Sequence, residues 1–146
     1  MKSKLSTSIK GFTLIELLVV IGILTILLAI VLVAINPSRQ FAQANNTQRR
    51  SDVNAILNAV HQYAADNKGT LPTGITTAPA LISGTGLCNA LVPTYLAQLP
   101  VDPTAGTWTS CSSYTAGYNI SVSATANRVT VAAPNAQDSV TISVTR

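Results

Sequence analysis

The chain has 146 residues, of which 47% are hydrophobic and only 10% charged, with a formal net charge of +4. Three of its nine basic residues, Lys2, Lys4 and Lys10, lie in the first ten positions beside no acid, and taking these three from +4 leaves +1 for the rest. So small a balance excludes strong non-specific nucleic-acid binding, and nucleic acid is not expected as a main partner.

An apolar run follows the basic start. Leu17 to Ile35 contains no ionisable side chain. As a helix it would be roughly 28 Å long, close to the hydrocarbon thickness of a bilayer. Basic residues flanking a first apolar helix stay on the cytoplasmic side, which places the remainder of the chain outside the membrane. A secretory signal also begins with basic residues, but its apolar core is shorter and its cleavage site comes after that core. Glu16 stands at the head of the run. A carboxylate there costs on the order of 2 kcal/mol or more unless something pairs with it. No partner for it is evident from within the helix, which points to a positive charge on a neighbouring copy.

The segment Lys10-Gly11-Phe12-Thr13-Leu14-Ile15-Glu16 resembles the processing site of type IV prepilins and type II secretion pseudopilins. Gly11, Phe12 and Glu16 fall at the matching places. The resemblance implies a leader at residues 1–11, removed by a prepilin peptidase that cuts after Gly11. It implies N-methylation of Phe12, and pairing of the Glu16 carboxylate with the Phe12 amine of an adjacent subunit. Residues 12–36 would then be a transmembrane helix that becomes a filament core. Residues 37–69 would be the amphipathic second half of that helix, and 70–146 the globular head. Gly22, Thr25 and Ala29 are small enough to allow close helix–helix approach.

Asn36-Pro37 interrupts the apolar run, and Pro37 predicts a kink or short break because it cannot donate a helical hydrogen bond. Beyond it Phe41, Val53, Ile56, Leu57, Val60, Tyr63 and Ala64 recur at three- and four-residue spacing, which predicts an amphipathic helix. Asn67-Lys68-Gly69 is its stop, with Gly69 as the left-handed cap. The expectation is one helix from about Phe12 to Lys68, bent near Pro37. Leu71 to Gly86 reads as loop, and Leu87 to Leu96 as a short helix limited by Pro93. Leu99-Pro100-Val101-Asp102-Pro103 is a rigid connector, similar to one found in pseudopilins and some pilins. The period then changes to two. Tyr118, Ile120 and Val122 alternate with polar residues, as do Val129 and Val131, and Val140, Ile142 and Val144. Turns are expected at Ala126-Asn127 and Pro134-Asn135, and a fourth strand over Trp108 to Tyr114. The predicted fold is α+β, a long N-terminal helix packed on a small antiparallel sheet of three to four strands. The resemblance implies the same architecture.

Cys88 and Cys111 are the only cysteines. Outside the membrane such a pair forms a disulfide, and a structural zinc site is the rival reading, for which one His and two Cys fall short of four ligands. His61, the only histidine, reads as a solvated surface residue, because no motif supplies a nucleophile and an orienting group. Ser110, Ser112 and Ser113 lack an activating base. Arg49 and Arg50 beside Asp52 read as a solvated face or a contact between subunits. Asp102 and Asp138 are candidates for a calcium site like that of the major pseudopilins, although calcium wants six to eight oxygens that the sequence does not assemble. Asn45 and Asn119 head glycosylation-type sequons of little weight in a prokaryotic filament subunit.

These features predict a structural subunit and not an enzyme, stored in the cytoplasmic membrane and then built into an extracellular filament of identical copies. Partners implied by the resemblance are the prepilin peptidase and the pilus assembly platform. A pseudopilin of a type II secretion system, or a minor pilin of a DNA-uptake system, are the alternatives.

Overall fold

The computed structural model describes residues 11–146. The expected leader as far as Lys10, with Lys2 and Lys4, lies outside the described residues. The chain divides into two units, one ending at Ser38 and the other spanning Arg39–Arg146.

Helix α1 runs Leu14–Ile35, and none of its residues is buried. Its length and composition suffice to cross a membrane. Of the kink or short break expected near Pro37, the structure has the break, one residue long, so that the long helix is in two parts. Asn36 adopts a left-handed conformation (φ 46°, ψ 80°) that ends α1, and α2 begins at Pro37 and runs to Asp66. Proline suits the first position of a helix, where its missing N–H has no partner to lose.

Helix α2 ends in a Schellman-type turn. The Gly69 N–H reaches the Ala64 carbonyl at 2.7 Å, and Lys68 as well as the expected Gly69 takes a positive φ, 56° and 86°. Its buried face reads Ala42, Asn46, Arg49, Asp52, Val53, Ile56, Leu57, Ala59 and Val60. The periodicity is helical, but the first half of the stripe is polar. Phe41, expected on that stripe, is 71% exposed instead. It falls one position off the row defined by Ala42, Asn46, Arg49 and Val53, a rotation of about 100°.

A four-stranded antiparallel sheet has the order β1-β4-β5-β6, built from β1 Ala80–Leu81, β4 Asn119–Val122, β5 Val129–Ala133 and β6 Ile142–Thr145. The three period-two segments form β4, β5 and β6. Val129, Val131 and Ala133 alternate inward along β5, as a sheet with one covered face requires. The fourth strand is not the one expected. Trp108 to Tyr114 lies in a separate two-stranded hairpin of β2 Thr107–Ser110 and β3 Ser113–Thr115. The edge of the main sheet is instead the two-residue β1, inside the segment read as loop. The short helix α3 spans Thr85–Leu91, two residues earlier than the reading and ended at Val92, ahead of Pro93. Val53, Ile56, Leu57 and Val60 of α2 meet Leu87, Leu91, Leu99, Tyr118, Ile120, Val129, Val131 and Ile142 in one core.

Candidate assembly site

Thr13 and Glu16 form a reciprocal capping box at the start of α1. The Thr13 N–H and hydroxyl both donate to Glu16 Oε2, at 2.8 and 2.7 Å. The Glu16 N–H donates to Thr13 Oγ1 at 3.3 Å. Glu16, for which no partner was evident from within the helix, thus has one in the residue that caps it. The signature was present as Thr13-x-x-Glu16, the spacing at which an N-cap side chain and the third helical residue satisfy two orphan N–H groups. Both bonds use one carboxylate oxygen, so Oε1 keeps its capacity for a second donor.

Phe12 precedes the cap and is 85% exposed. Behind it the helix from Leu14 to Ile35 places side chains such as Leu17, Ile23, Leu28 and Leu32 in the open, each of these more than half exposed. Exposing such a helix to water is prohibitive at roughly 25 cal/mol per Å². Gly22 has nothing within 4 Å of where a Cβ would stand, and Thr25 turns its hydroxyl inward to the Ile21 carbonyl at 2.7 Å. The helix therefore presents no unsatisfied polar side-chain group between Glu16 and Ile35.

In the head, Cys88 on α3 and Cys111 in the β2–β3 turn are joined by a disulfide. It ties α3 to the hairpin, where the Trp108 and Tyr114 rings lie 5.8 Å apart. With both sulfurs so engaged, neither is a zinc ligand.

Arg49 and Asp52 are neither a solvated face nor a contact between subunits; only Arg50 is exposed. Arg49 is fully buried and grips Asp102 through two bonds, Nε to Oδ2 at 2.7 Å and Nη2 to Oδ1 at 3.1 Å. It also donates to Asn46 Oδ1 and to Thr104 Oγ1, at 3.1 and 2.7 Å. Asp102 Oδ1 further accepts the N–H groups of Thr104 and Ala105, at 2.9 and 3.0 Å. Burial pushes the Asp102 carboxyl up, but Arg49 and the Thr104 and Ala105 donors outweigh it and hold the group at about 2. With its oxygens taken by these donors, Asp102 is not a calcium ligand. Asp138 stands on another turn, and no metal-binding cluster of three His, Cys, Asp or Glu exists among the described residues.

Beside this pair, Asp52 accepts from Gln48 and from the Tyr118 hydroxyl, both at 2.7 Å. Burial and that hydrogen bond raise the Tyr118 phenol well above its ordinary range. Asn46 exchanges two bonds with the backbone of Gln137, each 2.9 Å. Gly117 takes φ +77°, and a Cβ there would lie 2.6 Å from that of Asp102. Sequence reasoning missed this hub because its partners are 53 and 91 residues apart. The signal available was the three-residue spacing of polar Asn46, Arg49 and Asp52 on one helix. His61 is half-buried, not solvated, and its Nε2 is shielded without a partner among the described residues. Ser110 and Ser112 bond to each other at 2.9 Å, with no base beside them.

Comparison with curated proteins and with solved structures gave no match. Residues 7–32 match the family described as the prokaryotic N-terminal methylation motif. That stretch takes in Gly11, Phe12, the Thr13–Glu16 cap and most of α1. The match, together with the exposed apolar helix behind it, supports assigning the chain to the prepilin-type pilin and pseudopilin family.

Proposed function

We propose that this protein is a structural subunit, not an enzyme, of a type IV pilus-like filament. A prepilin peptidase cuts between Gly11 and Phe12, Phe12 is N-methylated, and the subunit waits in the cytoplasmic membrane by α1. An assembly platform then moves it into a helical filament of its own copies. The observation that carries this reading is the methylation-motif match heading a helix with no buried residue. The same apolar surface is covered by lipid before assembly and by neighbouring helices after it.

Glu16 has two tasks in this scheme. Oε2 closes the helix cap in the single subunit. Oε1 remains to accept the Phe12 amine of a neighbour, which N-methylation keeps cationic. The cap supplies donors to the carboxylate while the subunit is in lipid, and the neighbour supplies a charge once it is in the filament.

Expressing Glu16→Gln as the only copy separates these tasks, because glutamine also completes a capping box. Membrane levels should stay normal, and intact mass should show loss of Met1 to Gly11 with one added methyl. Surface filaments should be lost, since a buried cation without its partner costs on the order of 3–5 kcal/mol. Normal filament yield by electron microscopy would reject the pairing, and a mature protein that retains the leader would reject the assignment.

A further inference from the structure

A cleft of about 460 Å³ opens on the head beside the first turns of α2, lined by Arg39, Gln43, Asn46, Thr47, Arg50 and Asp138. Its walls are fixed. Asn46 is 3% exposed and holds the far wall through its paired bonds to Gln137. Asp138 and Ser139 follow in a turn with φ of 58° and 55°. The Thr47 hydroxyl is spent on the Gln43 carbonyl at 2.9 Å. The Arg50 guanidinium is exposed and takes no part in the Arg49–Asp102 ion pair. The exposed Arg50 guanidinium thus gives the cleft a cation that can receive an anion.

The chain's own composition selects the anion. There are five acidic side chains. Glu16 caps α1, Asp52 and Asp102 are buried and engaged, and Asp138 lies in the cleft itself. Asp66 is left. It is exposed on the last residue of α2, where the negative end of the helix dipole adds to its charge. The Tyr95 hydroxyl donates to its Oδ2 at 2.8 Å, and the Tyr95 ring sits edge-on to Tyr63 at 6.0 Å. The carboxylate is thus held in place with Oδ1 left for a further donor.

We propose that the cleft takes the Asp66 carboxylate of a second copy of this chain, with Arg50 as its counter-ion. The pairing rests on the filament reading above. Arg50 and Asp66 lie on one helix, sixteen residues and so about 24 Å apart along its axis, too far to meet within a subunit. Donor and acceptor are different patches, so the contact is head-to-tail, and its repetition gives an open polymer in place of a closed dimer. Charge pairs of this kind fix partner and register more than they add affinity.

Charge exchange tests it. Arg50→Glu, Asp66→Arg and the double variant are each expressed as the only copy beside the wild type, and sheared filaments are quantified. Each single variant should lower filament yield about tenfold, because like charges then face each other across the contact. The double variant should restore the yield to near the wild-type level. Both positions are exposed, and the retained Cys88–Cys111 disulfide and membrane level report that the heads still fold. Single variants that assemble normally, or a double variant that does not recover, would overturn the pairing while wild-type filaments keep the filament reading intact. Absence of wild-type filaments would overturn that reading and the pairing with it.

Discussion

Arg49 occupies a place on α2 where a core helix ordinarily carries a leucine, and its five donors explain how it stays there. Removing one member of a buried pair leaves the other uncompensated, which costs roughly 3–5 kcal/mol. Asp102→Asn should therefore destabilise the head by about that amount at pH 7, read from urea unfolding with the disulfide intact. The wild type should also show an acid limb. The Asp102 carboxyl is held at about 2, below its ordinary 3.8. Stability from this group is thus fully present above about pH 4 and lost as the pH falls toward 2, a change of about 2 kcal/mol. Asp102→Asn should lack that limb, and an unchanged acid profile in the variant would show that Asp102 is not its source. Little of this was legible in the sequence. Arg49 and Arg50 stand next to each other beside Asp52, and adjacency suggested a surface cluster. Helical geometry separates them by about 100°, so one enters the core and the other faces solvent. Thr13 is legible by the capping-box spacing, but it satisfies Glu16 with a neutral hydroxyl and an N–H in place of a counter-charge.

At the scale of elements, the sequence signal was strongest where one side of an element is buried and the other wet. Strands β4, β5 and β6 alternate clearly because their inner face covers α2. Strand β1 has two residues, both exposed, and pairs only with Ile120 and Asn119. Two residues carry no period, so it could only be read as loop. Trp108 to Tyr114, expected as one further strand of the sheet, is two strands and a turn in a separate hairpin, since sheet membership depends on long-range register and not on local pattern. Helix α3 has seven residues, far below the length at which a helix is stable alone. It is held by Leu87, Cys88 and Leu91 in the core and by the disulfide. Replacing Cys88 and Cys111 together with serine should lower head stability by about 3 kcal/mol for a closed loop of this length. The loss should fall unevenly. Amide exchange should quicken most in α3 and the β2–β3 hairpin, and least in β4 to β6, because local opening follows the elements the link restrained. Uniform acceleration would mean that the link acts on the whole head.

Across the whole molecule, two chemistries are kept apart along the chain. Among the described residues every buried hydrophobic lies between Ala42 and Ile142, and α1 contributes none. The unit Arg39–Arg146 therefore owns its entire core and its disulfide. A fragment from Pro37 to Arg146 should fold by itself into a water-soluble, oxidised domain, since about a hundred residues suffice for one core. Its exposed Phe41 and Leu81 are isolated apolar residues of the kind that monomer surfaces ordinarily carry. Near-UV circular dichroism should retain the bands of Trp108 and Tyr118, because packing around them needs nothing from α1. The melting temperature should lie within a few degrees of the mature chain in detergent. The fragment should remain monomeric at concentrations where the mature chain, freed of detergent, associates. Loss of near-UV signal with far-UV signal retained would mean a loosened core, and would place part of the head's stability in the N-terminal helix. Association of the fragment into filaments would be the opposite failure, since it would mean that contacts between heads suffice for polymerisation without α1. The two units thus divide the work by solubility. On the proposed function, one needs lipid or other copies to cover it and the other keeps its own core in water, which would let a single chain pass from membrane to filament without unfolding its head.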